Sequence, residues 1–126
     1  MKVEKGLFYT KDHEWIKVEG NTFTIGLADY AQDHLGDIVY VELPEVDDEL
    51  EAGDTVASIE SVKAASDTFV PIAGKVVEVN EELDDDPALI NQDPYGAWIA
   101  KLESDDINTD ELMNDEDYEK FLSEEA

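Results

Sequence analysis

Lys63 stands where its amine can be used. The segment Glu60-Ser61-Val62-Lys63-Ala64-Ala65-Ser66-Asp67 lies between two strand-like runs, Thr55-Val56-Ala57-Ser58-Ile59 and Thr68-Phe69-Val70. That pattern predicts a β-hairpin whose tip carries one lysine flanked by small or apolar side chains. No other lysine stands between Lys17 and Lys75, and the chain has no arginine. A lysine on a tight, exposed turn suits an enzyme that attaches a prosthetic group through an amide. The amine reaches solvent on its flexible stem, and the hairpin sets the direction in which it points. An ordinary solvated lysine near a strand end has the same local sequence, so the hairpin alone leaves both readings open.

Other chemistry is scarce. The chain has no cysteine, which excludes disulfides, thiolate zinc sites and cysteine nucleophiles. Any sulfur chemistry must arrive with a cofactor. Of the two histidines, His13 sits in Asp12-His13-Glu14, a metal site on paper. Strand alternation would send those neighbours to opposite faces, so a structural His13 is the expectation. No nucleophile–base pair is evident, and the chain is not expected to be an enzyme.

With 126 residues, 42% of them hydrophobic, one domain with a real core is expected despite the charge. That charge is extreme: 34 acids against 8 lysines, a formal −26, where about 2–8 is usual for a small soluble domain. The acids number 7 in residues 1–40, 10 in 41–80 and 17 in 81–126, so they thicken toward the C-terminus without being confined to a tail. Such a surface repels itself in dilute buffer, and molar salt screens it. We read the composition as adaptation to a salt-rich cytoplasm, against an acidic nucleic-acid mimic or a solvating acidic protein. Nucleic-acid binding lacks its basic footprint. The N-terminus has no apolar signal region and no run approaches membrane-spanning length, so a soluble, cytoplasmic monomer is expected.

The elements that must position Lys63 are mostly β. His13 to Val18 alternates, Glu19-Gly20-Asn21 turns, and Thr22 to Ile25 returns. Ala28 to Leu35 suits a short helix ended by Gly36. Ile38 to Leu43 is a strand halted by Pro44, and acidic turns follow around Asp47-Asp48-Glu49 and Ala52-Gly53-Asp54. After the lysine hairpin come the turn Pro71 to Gly74 and the strand Lys75 to Val79. Gly36 to Val41 and Gly74 to Val79 echo each other weakly, as two half-sheets of a flattened barrel or sandwich would. Asp84-Asp85-Asp86-Pro87 reads as a helix entry, Asn91 to Gly96 as a loop, and Ala97 to Leu102 as a last strand. Asn108 with Glu111 resembles a capping box. It opens a C-terminal helix over about 109–124, whose Leu112, Tyr118, Phe121 and Leu122 would dock on the core of about 1–104.

Several of these segments, in order and over essentially the whole chain, resemble the H protein family of the glycine cleavage system. They are Lys11-Asp12-His13-Glu14-Trp15, Gly26-Leu27-Ala28-Asp29-Tyr30-Ala31-Gln32, Leu35-Gly36-Asp37-Ile38-Val39, Val41-Glu42-Leu43-Pro44, the Glu60–Asp67 hairpin, and Asn91-Gln92-Asp93-Pro94-Tyr95-Gly96. One departure is visible at Gly96-Ala97-Trp98, where the family often has a glycine before the tryptophan.

The resemblance implies a lipoyl-domain-like fold, a flattened β-barrel/sandwich hybrid forming a single carrier domain over 1–126. It implies lipoate in amide linkage to Lys63, with Glu60, Ser61, Val62, Ala64, Ala65, Ser66 and Asp67 as the recognition hairpin. The arm would take an aminomethyl group from a pyridoxal-phosphate glycine decarboxylase (P protein) and present it to a tetrahydrofolate-dependent aminomethyltransferase (T protein). Dihydrolipoamide dehydrogenase (L protein) would reoxidise the arm, and lipoate-attaching enzymes would install it. The loaded arm is expected to fold into a cleft lined by the Ala28–Leu35 helix and the first strand. Glu14, His34 and Asp67 are its polar candidates, with Glu14 facing the amine, and Leu27, Ala31 and Leu35 its apolar ones. A biotin carrier would have methionines where Val62 and Ala64 stand. A lipoyl domain of a 2-oxoacid dehydrogenase explains the hairpin but not the flanking motifs. A lipoyl-relay role, passing lipoate to other complexes, stays open.

Overall fold

The computed structural model describes residues 2–125. Alternating strands and tight turns build most of it. The hairpin of β2 (Glu14–Glu19) and β3 (Thr22–Leu27) pairs Glu14 with Leu27 and Glu19 with Thr22. Its two-residue loop uses Gly20 at φ +63°, the left-handed backbone that a turn matching strand twist requires. Short β1 (Phe8–Tyr9) pairs on the outer side of β2. The sheet continues through β9 (Ala100–Glu103), β8 (Gly74–Val79) and β5 (Glu49–Leu50), in the order β1-β2-β3-β9-β8-β5. A second sheet has the order β4-β6-β7, from β4 (Ile38–Glu42), β6 (Thr55–Ser61) and β7 (Ala65–Phe69).

The two sheets share one apolar core without closing into a barrel. Ile16, Phe23, Ile25, Val76 and Leu102 from the larger sheet meet Val41, Val56 and Ile59 from the smaller. Strands buried on one face need such a partner layer. The two glycine-led strands that echo each other, β4 and β8, fall in different sheets.

Helix α1 (Asp29–Leu35) ends at Gly36, whose φ of +79° no β-carbon opposes. The acidic stretch near Pro87 does not open one helix as its sequence suggests. It closes α2 (Glu82–Asp85), and Pro87 then precedes α3 (Leu89–Gln92), so Asn91 and Gln92 are helical instead of loop. The last strand, β9, begins at Ala100, three residues later than the sequence pattern.

The C-terminal helix α4 spans Asp115–Glu125. Asn108 caps only a turn, accepting the Asp110 N–H at 2.9 Å. The helix waits because the Met113 backbone is already bridged to Tyr9, with N–O distances of 2.7 and 2.9 Å. Asn114 is the working cap and accepts the Asp117 N–H at 2.8 Å. Leu112 therefore lies outside the helix and packs on the main core. Tyr118 enters a second cluster with Leu7, Tyr9, Trp15 and Ala28, stacked on Tyr9 at 4.3 Å with the rings 1° from parallel.

Candidate functional site

The β6–β7 hairpin carries Lys63 at its tip. Glu60 pairs with Ala65, Ile59 with Ser66 and Ser58 with Asp67. The tip is tied by one side chain: the Ser61 hydroxyl donates to the Ala64 carbonyl at 3.1 Å. Its oxygen also accepts the Lys63 and Ala64 N–H groups at 3.3 and 3.1 Å. A serine at this position closes the turn locally, which leaves the lysine side chain uncommitted. Val62 is 68% exposed, and Lys63, Ala64 and Ala65 are exposed beside it. From outside the hairpin, the Asp37 carbonyl accepts the Val62 N–H at 3.0 Å. The lysine stem runs over Gly36, with its ε-carbon 3.6 Å from where a β-carbon there would lie.

Glu14, the first residue of β2, meets the other end of β7. It is 2% exposed and bridges the sheets: one carboxylate oxygen accepts the Phe69 N–H at 2.6 Å, the other the Thr10 hydroxyl at 3.1 Å. Burial pushes its pKa from 4.5 up to about 7, the two hydrogen bonds pull back, and Asp12 adds to the rise. A carboxyl that changes charge near neutrality at a cleft wall is a functional-site signature. The cleft has a volume of about 1120 Å³, and Glu14, Phe69, Val70, Ile72 and Leu112 are among its walls. From the turn that carries Lys63, β7 runs from Ala65 to Phe69, roughly 13 Å at the rise of an extended chain.

The remaining candidates scatter. Leu27 lies in the main core, with Ala31 and Leu35 packed against it. His34 is exposed, its ring 4.1 Å from Tyr30. Asp67 is exposed and accepts the Ser58 hydroxyl at 2.9 Å. None of these five lines the Glu14 cleft; the walls come instead from the end of β7 and the segment before α4. His13 has a left-handed φ of +67°, so regular alternation starts only at Glu14. Its ring bonds the Tyr118 hydroxyl at 2.9 Å and lies among Tyr30, Tyr118 and Phe121.

Sequence reasoning missed Thr10, Phe69 and Leu112 as cleft walls, and Asp37 as a contact of the tip. A second cavity of about 410 Å³, lined by Trp98, Lys17 and Lys101 among others, includes no residue of the Lys63 hairpin.

Comparison with known proteins agrees over the full length. The family described as "Glycine cleavage H-protein" matches residues 7–125. A protein named glycine cleavage system H protein from Thermoanaerobacter sp. (strain X514) is 58% identical over 126 residues, covering 99% of this chain and 100% of that one. One of the same name from Clostridium botulinum (strain Okra / Type B1) is 58% identical, covering 98% and 96%. The crystal structure of a glycine cleavage system H protein from Mycobacterium marinum is 36% identical and superposes with a TM-score of 0.87, covering 96% of this chain and 99% of that one. This chain belongs to the glycine cleavage H-protein family.

Proposed function

We propose that this chain is the lipoyl carrier of a glycine cleavage system. Lipoate joins the Lys63 amine as an amide, and the arm carries the aminomethyl group from glycine decarboxylase (P protein) to the tetrahydrofolate-dependent aminomethyltransferase (T protein). Dihydrolipoamide dehydrogenase (L protein) returns the arm to the disulfide, and lipoate-attaching enzymes load it. The chain is a carrier and not a catalyst. The observation that carries this reading is the Lys63 tip itself: exposed, closed by Ser61, and backed by a glycine that leaves room for the stem.

The group fits the residues present. Phe69, Val70, Ile72 and Leu112 offer apolar walls to a hydrocarbon arm, and β7 leads from the tip to those walls. The dithiolane supplies the sulfur chemistry, which a chain without cysteine cannot. Glu14 then has a defined task. Its carboxylate, buried and held by Phe69 and Thr10, faces a cleft where a cationic amine is paired with little water present. The walls also keep water from cargo that water destroys.

No helix among the described residues is long and apolar enough to cross a membrane. We place the carrier in a salt-rich cytoplasm on the −26 formal charge, which leaves no basic footprint for nucleic acid, and we take it to act as a monomer.

Intact-mass and peptide mass spectrometry of protein from its native host test the assignment. The expected result is one lipoyl adduct, on Lys63 and on none of the other lysines. Lys63→Arg should fold as the parent does and support no glycine cleavage. A biotinyl adduct, or bare Lys63 in cells that lipoylate other proteins, would sink the reading.

A further inference from the structure

The segment Asn91-Gln92-Asp93-Pro94-Tyr95-Gly96 lies far from Lys63 in sequence and outside the Glu14 cleft, yet it grips the element that supports the lysine. Its two ends hold the two ends of α1. At the start of α1, the Tyr95 hydroxyl accepts the Asp29 N–H at 3.3 Å and donates to the Lys2 carbonyl at 2.8 Å. At the end of α1, the Asn91 side chain fills the corner where the chain turns into β4. Its amide nitrogen donates to the Gly36 carbonyl at 2.8 Å and to the Gln32 side-chain oxygen at 3.0 Å. Its oxygen accepts the Ile38 N–H at 2.8 Å. Both amide hydrogens and one oxygen lone pair are thus used on a single corner, and every donor meets an acceptor.

That corner is the seat of the Lys63 tip. Gly36 lies under the lysine stem, and the Asp37 carbonyl receives the Val62 N–H at 3.0 Å. Asn91 bonds the residues on both sides of Asp37, namely Gly36 and Ile38. It therefore sets the direction of the carbonyl to which the tip is anchored. Within the hairpin, Ser61 gives the turn its shape, and β4 pairs along β6 as far as Ile38 opposite Ser61, so the hairpin is seated on the strand that leaves this corner. The Val62–Asp37 bond carries that anchoring one residue further, into the tip itself.

We propose that Asn91 is a positioning residue for the Lys63 arm: by fixing the Gly36–Ile38 corner it presents the lysine to the enzymes that acylate it. This rests on the lipoyl-carrier reading and names what that reading lacks, the part of the fold that aims the arm. Asn91 touches neither the lysine nor the cleft, so its effect passes through the corner.

The test compares Asn91→Ala and Asn91→Asp with Asn80→Ala. Asn80 is a matched control: it is 8% exposed, donates to the Trp98 carbonyl at 2.9 Å and accepts the Glu82 N–H at 3.3 Å, away from the hairpin. Asn91→Asp keeps the acceptor for Ile38 and removes the donors to Gly36 and Gln32, and it covers the case in which the alanine variant fails to fold. Two readouts are taken on full-length protein: amide exchange at Val62 by NMR, and acylation of Lys63 by a lipoate–protein ligase supplied with ATP and lipoate. The Asn91 variants should speed Val62 exchange by about tenfold, the change that goes with one lost net hydrogen bond. They should lower kcat/KM for acylation by a similar factor. Asn80→Ala should lower Tm comparably and leave both readouts at parent values.

The proposal is overturned if Asn91→Ala and Asn91→Asp lower Tm but leave Val62 exchange and acylation unchanged. It is equally overturned if Asn80→Ala shifts both readouts as far as the Asn91 variants do. Parent protein that is not acylated by a ligase active on other carriers refutes the carrier reading instead, and Val62 exchange then decides by itself whether Asn91 aims the tip.

Discussion

Replacing Glu14 with glutamine should change how stability depends on pH, in a direction that the buried carboxyl dictates. Burial raises its pKa in the folded protein from 4.5 to about 7. Between those values the native state holds a proton that the unfolded chain has released, so stability falls as pH rises. The loss begins near the unfolded pKa and is complete once pH passes the folded one. At about 1.4 kcal/mol per pH unit, over the roughly two to three units between the two values, it comes to about 3 kcal/mol. Glu14→Gln carries no titrating group, so it escapes this loss. Below its folded pKa the protonated Glu14, like glutamine, has one carbonyl oxygen to accept the bonds that Phe69 and Thr10 donate, so the two side chains differ little at the acid end.

The quantity to measure is therefore the stability difference between variant and parent as pH changes, because the other 33 acids, counted from the 34 in the chain, are common to both. Urea melts from pH 4.5 to 8.5 at constant ionic strength provide it. Guanidinium is unsuitable because, as a salt, it screens the very charges at issue. The variant should start close to the parent at the acid end and gain about 3 kcal/mol on it by pH 8. A difference that stays flat across this range, within extrapolation error, refutes the claim that Glu14 is buried at the cost of its charge.

Two further outcomes follow from the same residues and charges. Glu14→Ala should still accept lipoate on Lys63, but with the arm loaded and no transferase present it should release ammonia faster than the parent. Equal decay rates would leave Glu14 without a protective role. Melting temperature should rise steeply as potassium chloride goes from millimolar to molar, because the Debye length shrinks from about 30 Å at 0.01 M to about 3 Å at 1 M; a flat response would point to another origin for the acidity.

Much of the fold was legible because it is written in local chemistry. The β2–β3 hairpin follows from alternation and a Gly-Asn turn, α1 from its length and Gly36, and the Lys63 tip from small residues between two strand runs. Each signal lies in one short stretch of chain, within which turn preferences and side-chain period act. The C-terminal helix was legible in kind but not in place. Asn108 and Asn114 are both competent caps, and only the bridge between Met113 and Tyr9 selects the second.

The sequence by itself determined that this chain is mostly β, heavily acidic, without thiols, and built around one presented lysine. It also carried the motifs that resemble the H-protein family. The tertiary structure alone decided what surrounds the lysine. Glu14 meets the Phe69 amide across 55 residues, and Asn91 meets Ile38 across 53. Leu27 is buried in the main core, Ala31 and Leu35 pack half-buried against it, and none of the three lines the cleft beside Glu14. A carboxyl's pKa, a cleft's walls and the aim of a hairpin depend on which distant groups exclude water from a site. Those groups are brought together when the two sheets close on one another, and no window along the chain contains them.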